Sequence, residues 1–291
     1  MISIFRSVRA YFSLVKFSHT VFAMPFALIG FSLAVSSPEF NFNIRLLLLV
    51  ILCMVLARNT AMGFNRLADR DFDALNPRTK KREIPAGIIS SRAAAIFVII
   101  NAVLFIVTTG FINRLTLILS PVALIVIIGY SLTKRFTSLC HFVLGLGLSL
   151  APIGAYISVT GKFSLLPLIY SFIVLSWVSG FDIIYALQDD EFDKSVSIHS
   201  LPSATGRKKA LAISTFVHCI TFVLVMAAGI YGKGGILFWT GALIFTSLLV
   251  YQHSIVKHYD LSKVTLAFGT TNGIASILFA IFVIFDLILR H

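Results

Sequence analysis

Residues 44–73 read IRLLLLVILCMVLARNTAMGFNRLADRDFD. From Ile44 to Phe64 the stretch is apolar apart from Arg45, Arg58 and two small polar residues. That is close to the ~20 residues an α-helix needs to cross the hydrocarbon core of a bilayer. Within five residues of its end come Asn65, Arg66 and Asp69, then Arg70, Asp71 and Asp73. An isolated strand cannot satisfy its backbone in lipid, so a spanning segment of this kind has to be helical. A greasy helix that ends in a burst of acids is the unit from which the rest of the chain is read.

Eight further apolar segments follow the same pattern. With 43–64 they run 15–36, 93–112, 115–133, 138–161, 164–187, 208–231, 234–252 and 264–288. Of the 291 residues, 58% are hydrophobic and only 12% charged, with a mean hydropathy of +0.95. Such composition excludes a soluble domain, a disordered chain and a collagen-like repeat. Cys53, Cys140 and Cys219 lie far apart in or beside apolar runs. They form neither a disulfide framework nor a zinc spacing. The expected fold is an all-α membrane protein: nine transmembrane helices around a central cavity, one polytopic domain over 1–291. Ser36-Ser37-Pro38 is a poor cleavage site, so the first apolar run is read as a helix and not as a leader. The two large loops, about 65–92 and 188–207, are expected to carry function and to form short helices capping the cavity.

The net charge of +12 would point to nucleic acid in a soluble protein. Here its distribution gives orientation instead. Of 24 Lys and Arg, 18 fall at the N-terminus and in the loops after even-numbered segments, among them Arg78, Lys80, Lys81, Arg82, Lys134, Arg135 and Lys209. Five fall on the other side: Arg45, Arg114, Lys162, Lys233 and Arg290. By the positive-inside rule the N-terminus and the loops after even helices are cytoplasmic. The expected location is the cell inner (cytoplasmic) membrane, with no nucleic-acid partner and no obligatory protein partner.

The acids are the main functional signal. Only 12 Asp and Glu occur, and nine of them form two clusters: Asp69, Asp71, Asp73 and Glu83, then Asp182, Asp189, Asp190, Glu191 and Asp193. Both clusters lie at the expected cytoplasmic ends of even helices. Asn65, Asp69 and Asp73 are spaced by four, and Asp182, Tyr185, Asp189 and Asp193 by three and four. Each set therefore shares one helix face. Two carboxylate faces meeting across a bundle suit a hard cation, which takes oxygen ligands and completes its shell with water and substrate phosphate. The bland alternative, a solvated charged loop, fits one such cluster better than two matching ones. It fits Asp182 poorly, since an acid inside an apolar segment normally faces a partner or a cavity.

At these residues the chain resembles the UbiA superfamily of intramembrane aromatic prenyltransferases. The first family motif, N-D-x-x-D-x-x-x-D, is matched by Asn65, Asp69 and Asp73, followed by Arg78-Thr79, Arg82 and Pro85-Ala86-Gly87. Arg66 stands where the family often has Asp. The second motif, D-x-x-Y-x-x-x-D-x-x-x-D, is matched by Asp182, Tyr185, Asp189 and Asp193. The block Tyr130-Ser131-Leu132-Thr133-Lys134-Arg135-Phe136-Thr137 resembles the family's loop after helix 4. Lys16-Phe17-Ser18-His19-Thr20, Asn76-Pro77-Arg78-Thr79, Tyr185-Ala186-Leu187-Gln188-Asp189 and His199-Ser200-Leu201-Pro202 look like the menaquinone-pathway members that prenylate 1,4-dihydroxy-6-naphthoate, a group close to the 4-hydroxybenzoate polyprenyltransferases.

The resemblance implies transfer of a polyprenyl group from polyprenyl diphosphate to an aromatic acid in quinone biosynthesis, with membrane lipid around the bundle. It implies Mg2+ held by Asp69, Asp73, Asp189 and Asp193, and a diphosphate met by Asn65, Arg66, Arg78, Lys134 and Arg135. Asp182 and Tyr185 would shape the acceptor pocket or orient the allylic cation.

Other residues carry weaker signals. Arg58, inside an apolar segment, either meets an acidic acceptor's carboxylate or snorkels or pairs within the protein. Lys16 and His19 are read as interfacial, and His199 as structural or as a closing element of the site. His141 beside Cys140 is no metal signal by itself. Gly145, Gly147 and Ser149 are read as close helix packing. A polytopic transporter of a small solute or lipid intermediate is the competing class, although transporters place their acids nearer the midplane. A CDP-alcohol phosphotransferase needs glycine and arginine at set offsets that are absent here.

Overall fold

A computed structural model describes residues 9–15 and 22–290. Lys16 and His19, with most of the first apolar segment's start, lie outside the described residues. Apart from a lone bridge between Lys257 and Asp260, the described residues are helical or looped.

The long helices are α1 (Met24–Val35), α2 (Ile44–Ala68), α4 (Ser91–Gly110), α5 (Arg114–Thr133), α6 (Cys140–Thr160), α7 (Leu165–Ala186), α10 (Arg207–Tyr231), α11 (Ile236–Ile255) and α12 (Asn272–Leu289). Short helices α3 (Arg70–Leu75), α8 (Asp190–Ser195) and α9 (Leu201–Thr205) lie in the two large loops, as expected there. A π-helical turn, Leu266–Thr271, leads into α12. Among the described residues eight helices are long and apolar enough to cross a membrane, counting Leu266–Leu289 as one. The twelve-residue α1 is too short on its own.

Two boundaries differ from the sequence reading. The segment read as ending at 64 continues as helix to Ala68, so Asn65 and Arg66 belong to the helix and not to the loop. Their polarity marks where the helix meets a cavity, not where it stops. The last segment, read as plain helix, begins with the π turn. Such a turn leaves carbonyls poorly paired. Asn272 answers them, its Nδ2 donating to Ala267 O (2.9 Å) and Phe268 O (3.2 Å), while its Oδ1 accepts from Trp177 Nε1 at 3.1 Å.

α6 packs on α1, α5 and α7; α7 packs on α10; α12 packs on α1 and α11; α2 packs on α4 and α5. The densest core lies between α1, α7, α11 and α12, where Phe26, Trp177, Phe245 and Phe279 are fully buried. Their rings stand 4.9 Å (Phe245–Phe279), 5.4 Å (Phe26–Trp177) and 5.7 Å (Trp177–Phe245) apart, the offset or tilted geometry that aromatic quadrupoles favour. Where apolar packing gives no preference in lipid, small residues allow close approach. Gly30 faces the backbone of Pro152, and Gly145 faces Ser179 and the Leu175 carbonyl, with no room for a Cβ at either. Gly147 departs from the expectation: a Cβ there would meet nothing nearer than Ile127 at 3.7 Å, and the residue lines an open chamber.

Candidate active site

Asp69 sits between α2 and α3 with φ −90° and ψ 0°. Asp189 immediately precedes α8 with φ −110° and ψ 4°. Each motif is thus a long helix, a break at an aspartate, and a six-residue helix. The first break is mild: Asp69 N donates to Asn65 O at 2.9 Å and Asp73 N to Asp69 O at 2.8 Å. The second is bridged by tighter i→i−3 bonds, Gln188 N to Tyr185 O at 3.3 Å and Asp189 N to Ala186 O at 3.1 Å, before α8 resumes with Asp193 N to Asp189 O at 2.7 Å. Asn65, Asp69, Asp73, Asp182, Tyr185, Asp189 and Asp193 all line one cavity of about 290 Å³.

A buried carboxylate is costly unless paired, and the cavity's acids are paired, Asp69 and Asp189 across long sequence separations. Lys134 Nζ donates to Asp69 Oδ2 at 2.5 Å and Asn65 Nδ2 to the same oxygen at 3.1 Å. Arg82 Nη1 donates to both oxygens of Asp73, at 2.7 and 2.9 Å. Arg78 grips Asp189 with Nε (2.9 Å) and Nη2, and Asn76 Nδ2 adds a 3.2 Å bond. Asp193 accepts from Ser200 Oγ at 2.9 Å. Burial pushes the Asp69 carboxyl up from the ordinary carboxylate range, with Lys134 opposing it. Burial likewise pushes Asp193 up to about 6, with Ser200 opposing it.

Among the described residues, Asp69 Oδ1 is the motif carboxylate oxygen that is buried with no hydrogen-bond partner; Arg66 Nε and Ser131 Oγ, which line the same cavity, also lack one. Among the described residues no three His, Cys, Asp or Glu side chains converge tightly enough to hold a metal by themselves. A hard cation here draws the rest of its shell from water and phosphate oxygens, which is how magnesium is usually bound. The orphaned Asp69 oxygen and the all-oxygen donor set fit that ion.

Tyr185 is held from both sides. Arg78 Nη1 donates to its hydroxyl at 3.0 Å, the guanidinium lies 5.5 Å from its ring centroid, and Phe268 stacks on it at 4.1 Å. Arg66 is buried and lines the cavity. Arg135 does not line it: Nη2 donates to Ala68 O at 2.6 Å and the guanidinium lies over Phe72 at 5.7 Å. It stabilises the carbonyl end of α2.

Asp182 lines the cavity, and its Oδ2 pairs with His141 Nδ1 at 2.7 Å. His141 is the functional candidate that sequence reasoning passed over. No local spacing could have found it, since its partner is 41 positions away. Asn76, Arg82 and Ser200 were legible only as parts of blocks matching a family. His199 is structural in part: its N–H donates to Lys134 O at 2.8 Å.

A second, apolar chamber of about 360 Å³ lies between α2, α4, α5 and α6. Small residues such as Ala57, Ala61, Ala123, Ala151 and Gly154 line it. Arg58, Met62, Tyr130, Leu144 and Leu148 line both spaces, so Arg58 stands at their junction.

The UbiA prenyltransferase family matches residues 23–283. The chain is 31% identical over 238 residues to the 4-hydroxybenzoate octaprenyltransferase of Vibrio atlanticus (strain LGP32), covering 81% of each. It is 30% identical over 236 residues to the enzyme of that name from Nitrosomonas eutropha (strain DSM 101675 / C91 / Nm57), covering 81% of this chain and 82% of that one. The apo structure of a UbiA homolog from Aeropyrum pernix K1 superposes with a TM-score of 0.80 at 28% identity, covering 94% of this chain and 98% of that one. A UbiA homolog from Archaeoglobus fulgidus, bound to DMAPP and Mg2+, shares the fold at a TM-score of 0.73 and 22% identity, over 97% and 99% of the two chains. With a match across 23–283 and relatives of this identity aligned over four-fifths of their length, the chain belongs to the UbiA prenyltransferase family, and it is an integral membrane enzyme that transfers prenyl groups.

Proposed function

We propose that this protein transfers a polyprenyl group from a polyprenyl diphosphate to an aromatic acid, 4-hydroxybenzoate or 1,4-dihydroxy-6-naphthoate, for quinone biosynthesis. The observation that carries the reading is the junction of two unlike spaces: a cavity lined by both aspartate motifs and their cations, opening past Arg58 and Tyr130 into an apolar chamber. An amphiphile with an anionic head and an isoprenoid tail matches that pair. The names of the bacterial relatives support the aromatic acid. The one domain, 1–291, crosses the inner membrane nine times with its N-terminus and its active site facing the cytoplasm, in keeping with the charge distribution.

The tail occupies the apolar chamber and the diphosphate lies between the motifs. Asp69, Asp73, Asp189 and Asp193 would hold Mg2+ there, and such an ion would supply neutralising charge and Lewis acidity to the leaving diphosphate. Lys134, Arg78 and Arg66, with Asn65 as a neutral donor, bind phosphate oxygens and stabilise the leaving anion. Lys134 and Arg78 are already in place because Asp69 and Asp189 hold them. Arg135 contributes through the end of α2 and not by contact. The allylic cation forms at the junction, where Phe22, Phe181, Tyr185 and Phe268 offer aromatic faces and limit access of water. Arg58 meets the acceptor's carboxylate, and Asp182 with Tyr185 borders the reacting ring.

The test is a membrane assay with magnesium, a labelled polyprenyl diphosphate and the two aromatic acids offered in parallel. A magnesium-dependent prenylated product with one acid, lost in Asp69→Ala, is the expected result. Folded protein that yields no product with either would overturn the assignment of the acceptor class.

A further inference from the structure

A buried imidazole with two partners has its proton position dictated by them. His141, 2% exposed, is such a case. Its Nε2 accepts the backbone N–H of Leu201 at 3.2 Å, so that nitrogen must present a lone pair. An imidazolium would set N–H against N–H. These contacts fit a neutral ring with its single proton on Nδ1, from which Nδ1–H donates to Asp182 Oδ2 at 2.7 Å. Asp182 keeps 21% of its side chain exposed and borders the reaction cavity beside Tyr185. Unlike Asp69, Asp73 and Asp189 it has no Lys or Arg partner among the described residues; a neutral hydrogen-bond donor holds it.

We propose that Asp182 is the base that removes the ring proton after alkylation, and that His141 is its positioning residue. The inference rests on the prenyl-transfer reading above. In the step, the ring's electron pair forms the bond to the allylic carbon, and the diphosphate has already left with its own pair. The C–H bond at the alkylated carbon then breaks, its electrons restore the aromatic ring, and the proton passes to the Asp182 carboxylate. A carboxylate locked to Lys or Arg is a weak base, because the pairing favours its ionised form. A carboxylate held by a neutral imidazole has its orientation fixed with no full positive charge on it, the same division of labour found wherever a base is oriented by a third group.

The His141 contact also ties the base to the rest of the site. Leu201 opens α9, whose cap Ser200 donates to Asp193, and the adjacent His199 N–H holds the Lys134 carbonyl. Residues 199–201 thus touch the second motif, the lysine that is paired with Asp69 of the first, and the orienting imidazole.

The experiment uses full-length protein in membranes and an aromatic acid deuterated at the carbon that is alkylated. With Asp182→Asn, product formation falls by about 10²-fold or more, the KM for the prenyl diphosphate stays put, and a primary isotope effect absent from the wild type appears. His141→Leu gives the same isotope effect with a smaller loss, and His141→Asn, which restores a donor near Nδ1, recovers much of it. An Asp182→Asn variant that is isotope-silent, or one whose main change is in donor KM, overturns the proposal. Should the wild type transfer to neither acid, the transfer reading fails, and 15N spectra of the histidines decide the geometry independently. A neutral Nδ1–H tautomer at His141 that is lost in Asp182→Ala upholds the pairing; an imidazolium or the opposite tautomer refutes it.

Discussion

The charged cavity and the apolar chamber are of similar size, about 290 and 360 Å³, and share a wall, yet they are built on opposite principles. The first is defined by what is present. Each motif aspartate has an assigned partner, and those partners come from the end of α5, the stretch after α3, α6 and the cap of α9. The second is defined by what is missing. Alanines and glycines withhold side chains that would fill it. Removing one atom should therefore damage the first, and adding atoms should damage the second.

The largest effect is expected in the charged cavity. Asp69→Ala or Asp189→Ala should drop transfer to background, beyond about 10³-fold, while the protein still inserts, and chelation of magnesium should do the same to the wild type. Arg78→Lys should cost less. It keeps the charge but loses the fork that joins Asp189 to Tyr185, and a rise of about tenfold in donor KM is expected from a bidentate pair reduced to a point charge. In the chamber, Gly154→Phe should shift preference toward shorter prenyl donors by about tenfold, and inhibition by inorganic diphosphate should not change. A bulky residue that weakens diphosphate inhibition as much as it weakens long donors would erase the distinction between the two spaces. The smallest effect lies outside both. Asn59 Nδ2 donates to Asn101 Oδ1 at 3.0 Å between α2 and α4. Asn101→Ala should cost about 0.6 kcal/mol in unfolding from the membrane and leave turnover unaltered.

The same contrast explains what could be read in advance. The aspartate faces were legible because the spacing of three and four is local, and the side chains it sets still line one cavity despite the breaks at Asp69 and Asp189. The spans were legible because lipid demands length and apolarity. Their partners were not. Arg78 and Asp189 are 111 positions apart, and Lys134 and Asp69 are 65. A lysine in a basic loop looks the same whether it neutralises an acid or faces water, and Arg135, one residue on, turns away to the α2 carbonyl. Gly147 could not be told from Gly145 by composition, for a glycine that admits a neighbouring helix and one that leaves a void read alike. The end of α2 was misread for a related reason. Polar residues inside a membrane protein mark either a surface or an interior cavity, and only the fold says which.

The π turn at Leu266–Thr271 has a consequence for how this protein tolerates insertions and deletions. A π turn holds one residue more than the α-helix that would replace it. Loss of any one residue there would let the segment relax to α, and every side chain on its N-terminal side would rotate by about 100°. Phe268 would leave Tyr185, and the ring wall of the reaction cavity would open although no residue of either motif had changed. In this part of the chain the count of residues, more than their identity, shapes the site.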